Sequence, residues 1–119
     1  MGCVSSDQIP AVSIADLPAD LSADDAPLLV DVREPDEWSA GHIADALHIP
    51  MGELVARLDE VPRGHDVVVV CRSGGRSAAV TGYLAQGGWQ VRNLTDGMLA
   101  WQAHGRPMVS ESGTSPRVL

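Results

Sequence analysis

Four consecutive valines, Val67 to Val70, limit more than any other feature what this chain can fold into. Each is β-branched and stiff at χ1, so the run favours extended backbone. No polar residue alternates with them, so both faces of the strand need cover. That is the situation of a central strand in a parallel sheet packed by helices on both sides. Directly after it comes Cys71-Arg72-Ser73-Gly74-Gly75-Arg76-Ser77, followed by a helical segment from about Arg76 to Gln86. Val80, Tyr83 and Leu84 are the expected buried face of that helix, and Gly87 its stop. A buried strand running through a glycine turn into a helix places Cys71 at the strand's carboxyl end, where open α/β sheets hold their ligands.

The other apolar segments are short and separated by breakers. Ala11 to Ile14 reads as an edge strand, with a turn or short helix over 16–20. Leu28 to Val32 is a second strand, bounded by Pro27 and Pro35. Glu34 to Ala40 is a short helix closed by Gly41, and Ala46 to Ile49 is a third strand stopped by Pro50. Met51 to Val61 reads as a helix with Leu54 and Leu58 on one face. Gln90 to Leu94 is the last main strand, Met98 to His104 a final helix, and Met108-Val109 a short extended piece. Strands alternating with helices define an α/β class with a mainly parallel five-stranded sheet. The expected organisation is a flexible lead over 1–10, one domain over 11–109 and a flexible tail over 110–119, where Gly, Pro and Ser dominate.

Composition narrows the function classes. The chain has 119 residues, 45% hydrophobic and 20% charged, enough for a real core and unlike a disordered chain. Its longest apolar run, Val67 to Cys71, is far short of the ~20 residues that span a membrane. No charged-then-apolar leader opens the sequence. A formal charge of −8 argues against nucleic acid, which is bound mainly through phosphate neutralisation. All eight basic residues are Arg, a bias that suits a GC-rich bacterial coding sequence and a cytoplasmic protein. Cys3 and Cys71 fit no disulfide framework, and neither CxxC nor HxxxH spacing occurs. No metal site and no cofactor are expected, and His42, His48, His65 and His104 read as solvated or structurally bonded. Met1-Gly2-Cys3-Val4-Ser5-Ser6 fits a permissive lipidation pattern, but Cys3 is read as a bystander thiol rather than an anchor or a resolving partner for Cys71. Nothing in the sequence speaks to oligomeric state.

The chemistry concentrates in one loop. A thiol reacts as its thiolate, and a helix N-terminus or a nearby Arg lowers its pKa. Gly74-Gly75 permits positive φ, so successive backbone N–H groups can turn inward and cradle an anion above the sulfur. Residues 71–77 hold two Arg and no acid, while the other 112 residues hold six Arg and sixteen acids, a net −10. A basic spot on an acidic chain is most simply a small-anion site. The bland alternative is a strand-to-helix turn whose Arg side chains merely face water.

Cys71-Arg72-Ser73-Gly74-Gly75-Arg76-Ser77 resembles the active-site loop of a single-domain rhodanese, a sulfurtransferase. Asp31-Val32-Arg33-Glu34, with Glu37-Trp38 and Gly41-His42-Ile43, is similar to that family's N-terminal signature, which Ala46 and His48-Ile49-Pro50 continue. Gly97-Met98-Leu99-Ala100-Trp101 resembles its C-terminal signature, with Asp96-Gly97 where paired glycines are usual. These matches run in family order from about Leu28 to Trp101. The resemblance implies a rhodanese-like three-layer α/β/α fold and sulfane-sulfur transfer. Cys71 would take the outer sulfur of a small anionic donor, thiosulfate or a persulfide, and pass it to cyanide, a thiol or a sulfur-carrier protein. Backbone N–H groups of Arg72, Ser73, Gly74, Gly75, Arg76 and Ser77 would hold the anionic persulfide. Arg72 and Arg76 would grip the donor's oxygens by bidentate hydrogen bonds, and the Ser77 hydroxyl would cap the helix or donate to the sulfur. Related phosphatases and arsenate reductases use Cys-x5-Arg; Cys71 to Arg76 is Cys-x4-Arg, which favours sulfur transfer. The other rival is a non-catalytic rhodanese-like binding or regulatory module, a kind that usually lacks the Cys kept here.

Three supporting residues complete the expectation. Asp31 and Arg33 end the second strand near the same sheet edge as Cys71. They are read chiefly as scaffold residues paired with other side chains, Glu37 being one candidate, and secondarily as a loop-ordering acid and a donor-site base. His42 is read as a structural hydrogen-bonder ahead of an acid–base group. Trp38, Trp89 and Trp101 read as core or rim residues, with Trp38 a candidate for the pocket mouth.

Overall fold

The computed structural model describes residues 9–119. Cys3 and the first eight residues of the expected lead lie outside them. Five strands build the sheet: β1 (Ala11–Val12), β2 (Leu28–Asp31), β3 (Leu47–His48), β4 (Val67–Val70) and β5 (Val91–Leu94). Their order is β1-β5-β4-β2-β3, and every neighbouring pair is parallel. Three α-helices accompany them: α1 (Pro35–Ala40), α2 (Gly75–Gln86) and α3 (Gly97–Ala103). This is the expected α/β fold, with the valine run of β4 at its centre.

Strand periodicity divides the core into two layers. Val67, Val69 and Cys71 face one side with Val30, Ile49, Leu54, Val80 and Leu84. Val68 and Val70 face the other with Leu29, Ile43, Met98 and Trp101. All four valines are fully buried, the outcome required of a strand with no polar alternation. Helix α2 therefore covers the Cys71 face of the sheet, and α3 covers the opposite face.

Two helix expectations change. Met51 to Val61 is not an α-helix but two 3-10 stretches, Met51–Glu53 and Val55–Glu60, with Arg57 at non-helical φ −120° and ψ 23°. In this segment Gly52 and β-branched Val55 are weak helix formers, but Met51, Glu53, Leu54, Ala56, Arg57, Leu58 and Glu60 are strong ones, so propensity does not account for the 3-10 turns. Its Leu54 still packs into the core, so tertiary contact rather than helix periodicity fixes it. Tyr83, expected on the buried face of α2, is 49% exposed. The helix instead buries Ser77, Val80, Thr81 and Leu84, spaced three and four apart along one stripe. Polar Ser77 and Thr81 concealed that stripe from a reading based on apolar residues.

The segment 110–119, expected as a loose tail, lies against the domain. Glu111 and Arg117 donate backbone N–H to Ser39 and Ala40 carbonyls, both at 2.9 Å, and Val118 N–H reaches Gln102 Oε1 at 3.3 Å. Gly41 makes room for it, since a Cβ there would stand 2.4 Å from the Arg117 carbonyl oxygen. Met108-Val109 forms the expected extended piece, with Val109 bridging His42.

Candidate active site

β4 ends at Val70, and the next side chain, Cys71, follows Val67 and Val69 onto the face that α2 covers. The chain then turns through Gly74 at φ 108°, a left-handed conformation that glycine adopts without penalty, and enters α2. This turn folds the loop over its own first residue. Gly74 N–H lies 3.1 Å from Cys71 Sγ, Ser77 N–H 3.4 Å and the Ser77 hydroxyl 3.2 Å. Burial by itself pushes the Cys71 thiol up. Hydrogen bonds from the Ser77 hydroxyl and from the N–H groups of Ser77, Gly74 and Ser73 outweigh it, and the thiol ends below its ordinary value. The loop therefore stabilises a sulfur anion at its centre.

The outer side of this cradle is fixed from two directions. Arg76 directs both terminal nitrogens onto the Glu37 carboxylate of α1, at 2.7 and 3.0 Å. That hydrogen bond is the main reason the Glu37 carboxyl is held at about 2, against a smaller opposing push from burial. From the opposite face of the sheet, α3 donates Met98 N–H to the Cys71 carbonyl at 2.8 Å and Leu99 N–H to the Arg72 carbonyl at 3.0 Å. These bonds take up the carbonyls of Cys71 and Arg72. Gly97 permits the approach, since a Cβ there would stand 2.2 Å from the Cys71 carbonyl oxygen. Asp96, standing where paired glycines are usual, adopts φ 62°.

The structure thus brings Cys71, Gly74 and Ser77 together as expected, but it uses the arginines differently. The Arg76 fork, expected on the donor's oxygens, is engaged by Glu37. Arg72 is exposed, and its Nε donates to the Leu119 carbonyl at 2.6 Å. Its terminal nitrogens have no partner among the described residues. Asp31 and Arg33 form a fully buried ion pair at 2.8 Å, and Arg33 Nη2 also donates to the Gly41 carbonyl at 2.7 Å. The Arg33 guanidinium has no exposed surface, a placement that suits a scaffold residue better than one open to a donor from solution. Glu37, a candidate partner for that pair, serves Arg76 and the Glu34 N–H instead. His42 is buried, with Nδ1 2.7 Å from the Trp38 carbonyl and its ring stacked 3.6 Å from Trp38. His48 stacks on the same indole at 4.5 Å, so Trp38 is the centre of a three-ring stack.

Two residues that support the Cys71 loop had no assigned role in the sequence reading. Asn93 lies on β5 two positions from Val91, hence on the α2 side, and its Oδ1 is 2.5 Å from the Ser77 hydroxyl. The signal was an amide inside an otherwise buried strand, which needs polar partners. Gly97 was visible only as part of a signature. Among the described residues, no cluster of three or more His, Cys, Asp or Glu side chains could hold a metal ion. No helix there is long and apolar enough to cross a membrane.

A parallel α/β sheet with a cysteine cradled at the tip of its central strand defines the class. Residues 13–104 match the rhodanese-like domain, and the chain belongs to that family. It is 47% identical over 87 residues to a sulfurtransferase of Allochromatium vinosum, covering 72% of this chain and 81% of that protein. The fold is similar to the crystal structure of a rhodanese-related protein from Thermoplasma volcanium, with TM-score 0.77 and 33% identity over 84% of this chain and 97% of the other. It is also similar to a thiosulfate sulfurtransferase of Pseudomonas aeruginosa, with TM-score 0.75 and 27% identity, covering 95% of this chain and 22% of that one.

Proposed function

We propose that this protein moves a sulfane sulfur from thiosulfate or a persulfide donor to a thiophilic acceptor through a persulfide on Cys71. The observation that carries the reading is the inward turn of three donors, Gly74 N–H, Ser77 N–H and the Ser77 hydroxyl, onto one sulfur whose thiol is held below its ordinary value. Cys71 thiolate attacks the outer sulfur of thiosulfate and forms a new S–S bond. The old S–S bond breaks, its electron pair leaves with sulfite, and the outer sulfur keeps the negative charge. Loop N–H groups preorganised around the sulfur stabilise that charge with little rearrangement. In this reading the exposed Arg72 guanidinium attracts the donor's oxygens, while Arg76 braces the loop against Glu37.

The acceptor, whether cyanide, a thiol or a sulfur-carrier protein, then takes the outer sulfur and regenerates the thiolate. A reducing compartment such as the cytoplasm keeps that thiol available. Two half-reactions through one covalent intermediate give ping-pong kinetics. Steady-state formation of thiocyanate from thiosulfate and cyanide tests this. Parallel double-reciprocal lines, with loss of all activity in Cys71→Ser, are expected. Intersecting lines, or activity retained in the variant, would contradict the reading.

A further inference from the structure

Ser77 carries one hydroxyl proton and faces two acceptors. Its Oγ is 3.2 Å from Cys71 Sγ and 2.5 Å from Asn93 Oδ1, the second at the short end of the O–H···O range. When the proton points at the sulfur, two oxygen atoms with no proton between them face each other at that short distance. Asn93 has no easy escape, because its Nδ2 donates to the Gly74 carbonyl at 3.3 Å. Rotating the amide would set Oδ1 against that carbonyl. The β5 backbone around it is held between β1 and β4. The hydroxyl therefore serves one acceptor at a time, and which one it serves depends on the charge on Sγ.

We infer that Asn93 is a positioning residue for the Ser77 proton: it holds the hydroxyl while the Cys71 sulfur is neutral and yields it when that sulfur is an anion. In the thiol, S–H points at Ser77 Oγ and the hydroxyl proton lies on Asn93 Oδ1. On ionisation the thiol proton leaves to solvent and the hydroxyl proton turns to Sγ; no proton passes between the two side chains. When an outer sulfur bonds to Sγ, the charge moves outward to the new sulfur and the hydroxyl returns to Asn93. This last step rests on the sulfur-transfer reading above. Asn93 thereby keeps the hydroxyl from over-stabilising the thiolate, which leaves a more reactive nucleophile and favours the sulfur-loaded state. The charged pair nearby, Arg76 with Glu37, stays constant through these changes.

The test is the rate of iodoacetamide alkylation against pH, in a Cys3→Ser background so that a single thiol reports. Ser77→Ala is expected to move the titration midpoint up, because the thiolate loses a donor. Asn93→Leu is expected to move it down, because the hydroxyl is then committed to sulfur. The plateau rate should fall about twofold, since thiolate nucleophilicity declines with pKa. Asn93→Ala should shift the midpoint the same way, and serves if the larger side chain does not fold. In a Ser77→Ala background the Asn93 substitutions should do nothing. An unchanged or raised midpoint in Asn93→Leu and Asn93→Ala would overturn the inference, as would an equal shift without the hydroxyl. These titrations do not depend on thiosulfate loading, so failure of sulfur transfer leaves them standing, and their absence overturns the switch alone.

Discussion

β2 and β4 pair in parallel and end side by side, Asp31 opposite Val70, yet their tips use polar groups in opposite ways. At the β2 tip, Asp31 and Arg33 have no exposed surface and pair with each other, with Arg33 Nη1 left without a partner among the described residues; Arg33 also fastens the end of α1 through Gly41. At the β4 tip, the loop surrounds a sulfur with donors but supplies no side-chain cation directly to it. One tip is closed and fixes where α1 stands. The other surrounds the Cys71 sulfur with donors, and its outer brace, Glu37, is carried by that same helix. The locked tip thus sets the geometry of the reactive one.

The sharpest way to separate the tips is to remove one key group from each. Cys71→Ser should lose all sulfur transfer in the thiosulfate–cyanide assay while its urea midpoint stays near that of the wild type. Asp31→Ala should do the reverse in kind: it strands a buried guanidinium, and a loss of about 3–5 kcal/mol in urea unfolding is expected. An Asp31→Ala protein of unchanged stability would show that this pair is not the scaffold. Next in size is Arg72→Ala, expected to raise the thiosulfate KM about tenfold, the worth of one charge-assisted hydrogen bond, with stability unaltered. An unchanged KM would remove Arg72 from the donor site.

Glu37 offers a smaller, pH-dependent effect. Its carboxyl is held at about 2, below the ordinary 4.5, chiefly by Arg76. A carboxylate depressed on folding contributes stability above pH 4.5 and loses it as pH falls toward 2. Glu37→Gln should therefore flatten stability against pH across that window in urea titrations; an unaltered slope would mean the pair contributes nothing. Smallest of all, Asp96→Gly should raise stability by less than about 1 kcal/mol, because φ 62° suits glycine better. A lower melting temperature in that variant would mean the Asp96 side chain contributes more than its backbone conformation costs.

Much of this was legible in the sequence for identifiable reasons. The valine run dictated a strand buried on both faces, and the loop's glycines and Cys71 follow from its local pattern. Asp31 and Arg33 read as scaffold residues paired with other side chains, whereas the structure pairs them with each other. What escaped depends on distance along the chain. Glu37 meets Arg76 across 39 positions and Asn93 meets Ser77 across 16, and no local periodicity encodes either meeting. Helix α2 buries Ser77 and Thr81 where an apolar stripe pointed to Tyr83. Over 51–61, apolar spacing suggested an α-helix, but the segment folds as two 3-10 stretches with a kink at Arg57.

The central claim is that Cys71 carries the transferred sulfur, and intact mass after incubation with thiosulfate addresses it most directly. Wild type and Cys71→Ser would be compared with and without a reductant. The account predicts a gain of one sulfur atom in the wild type, reversed by reductant and absent from the variant. A sulfur gained equally by Cys71→Ser, or no gain from thiosulfate or any persulfide donor, would contradict it.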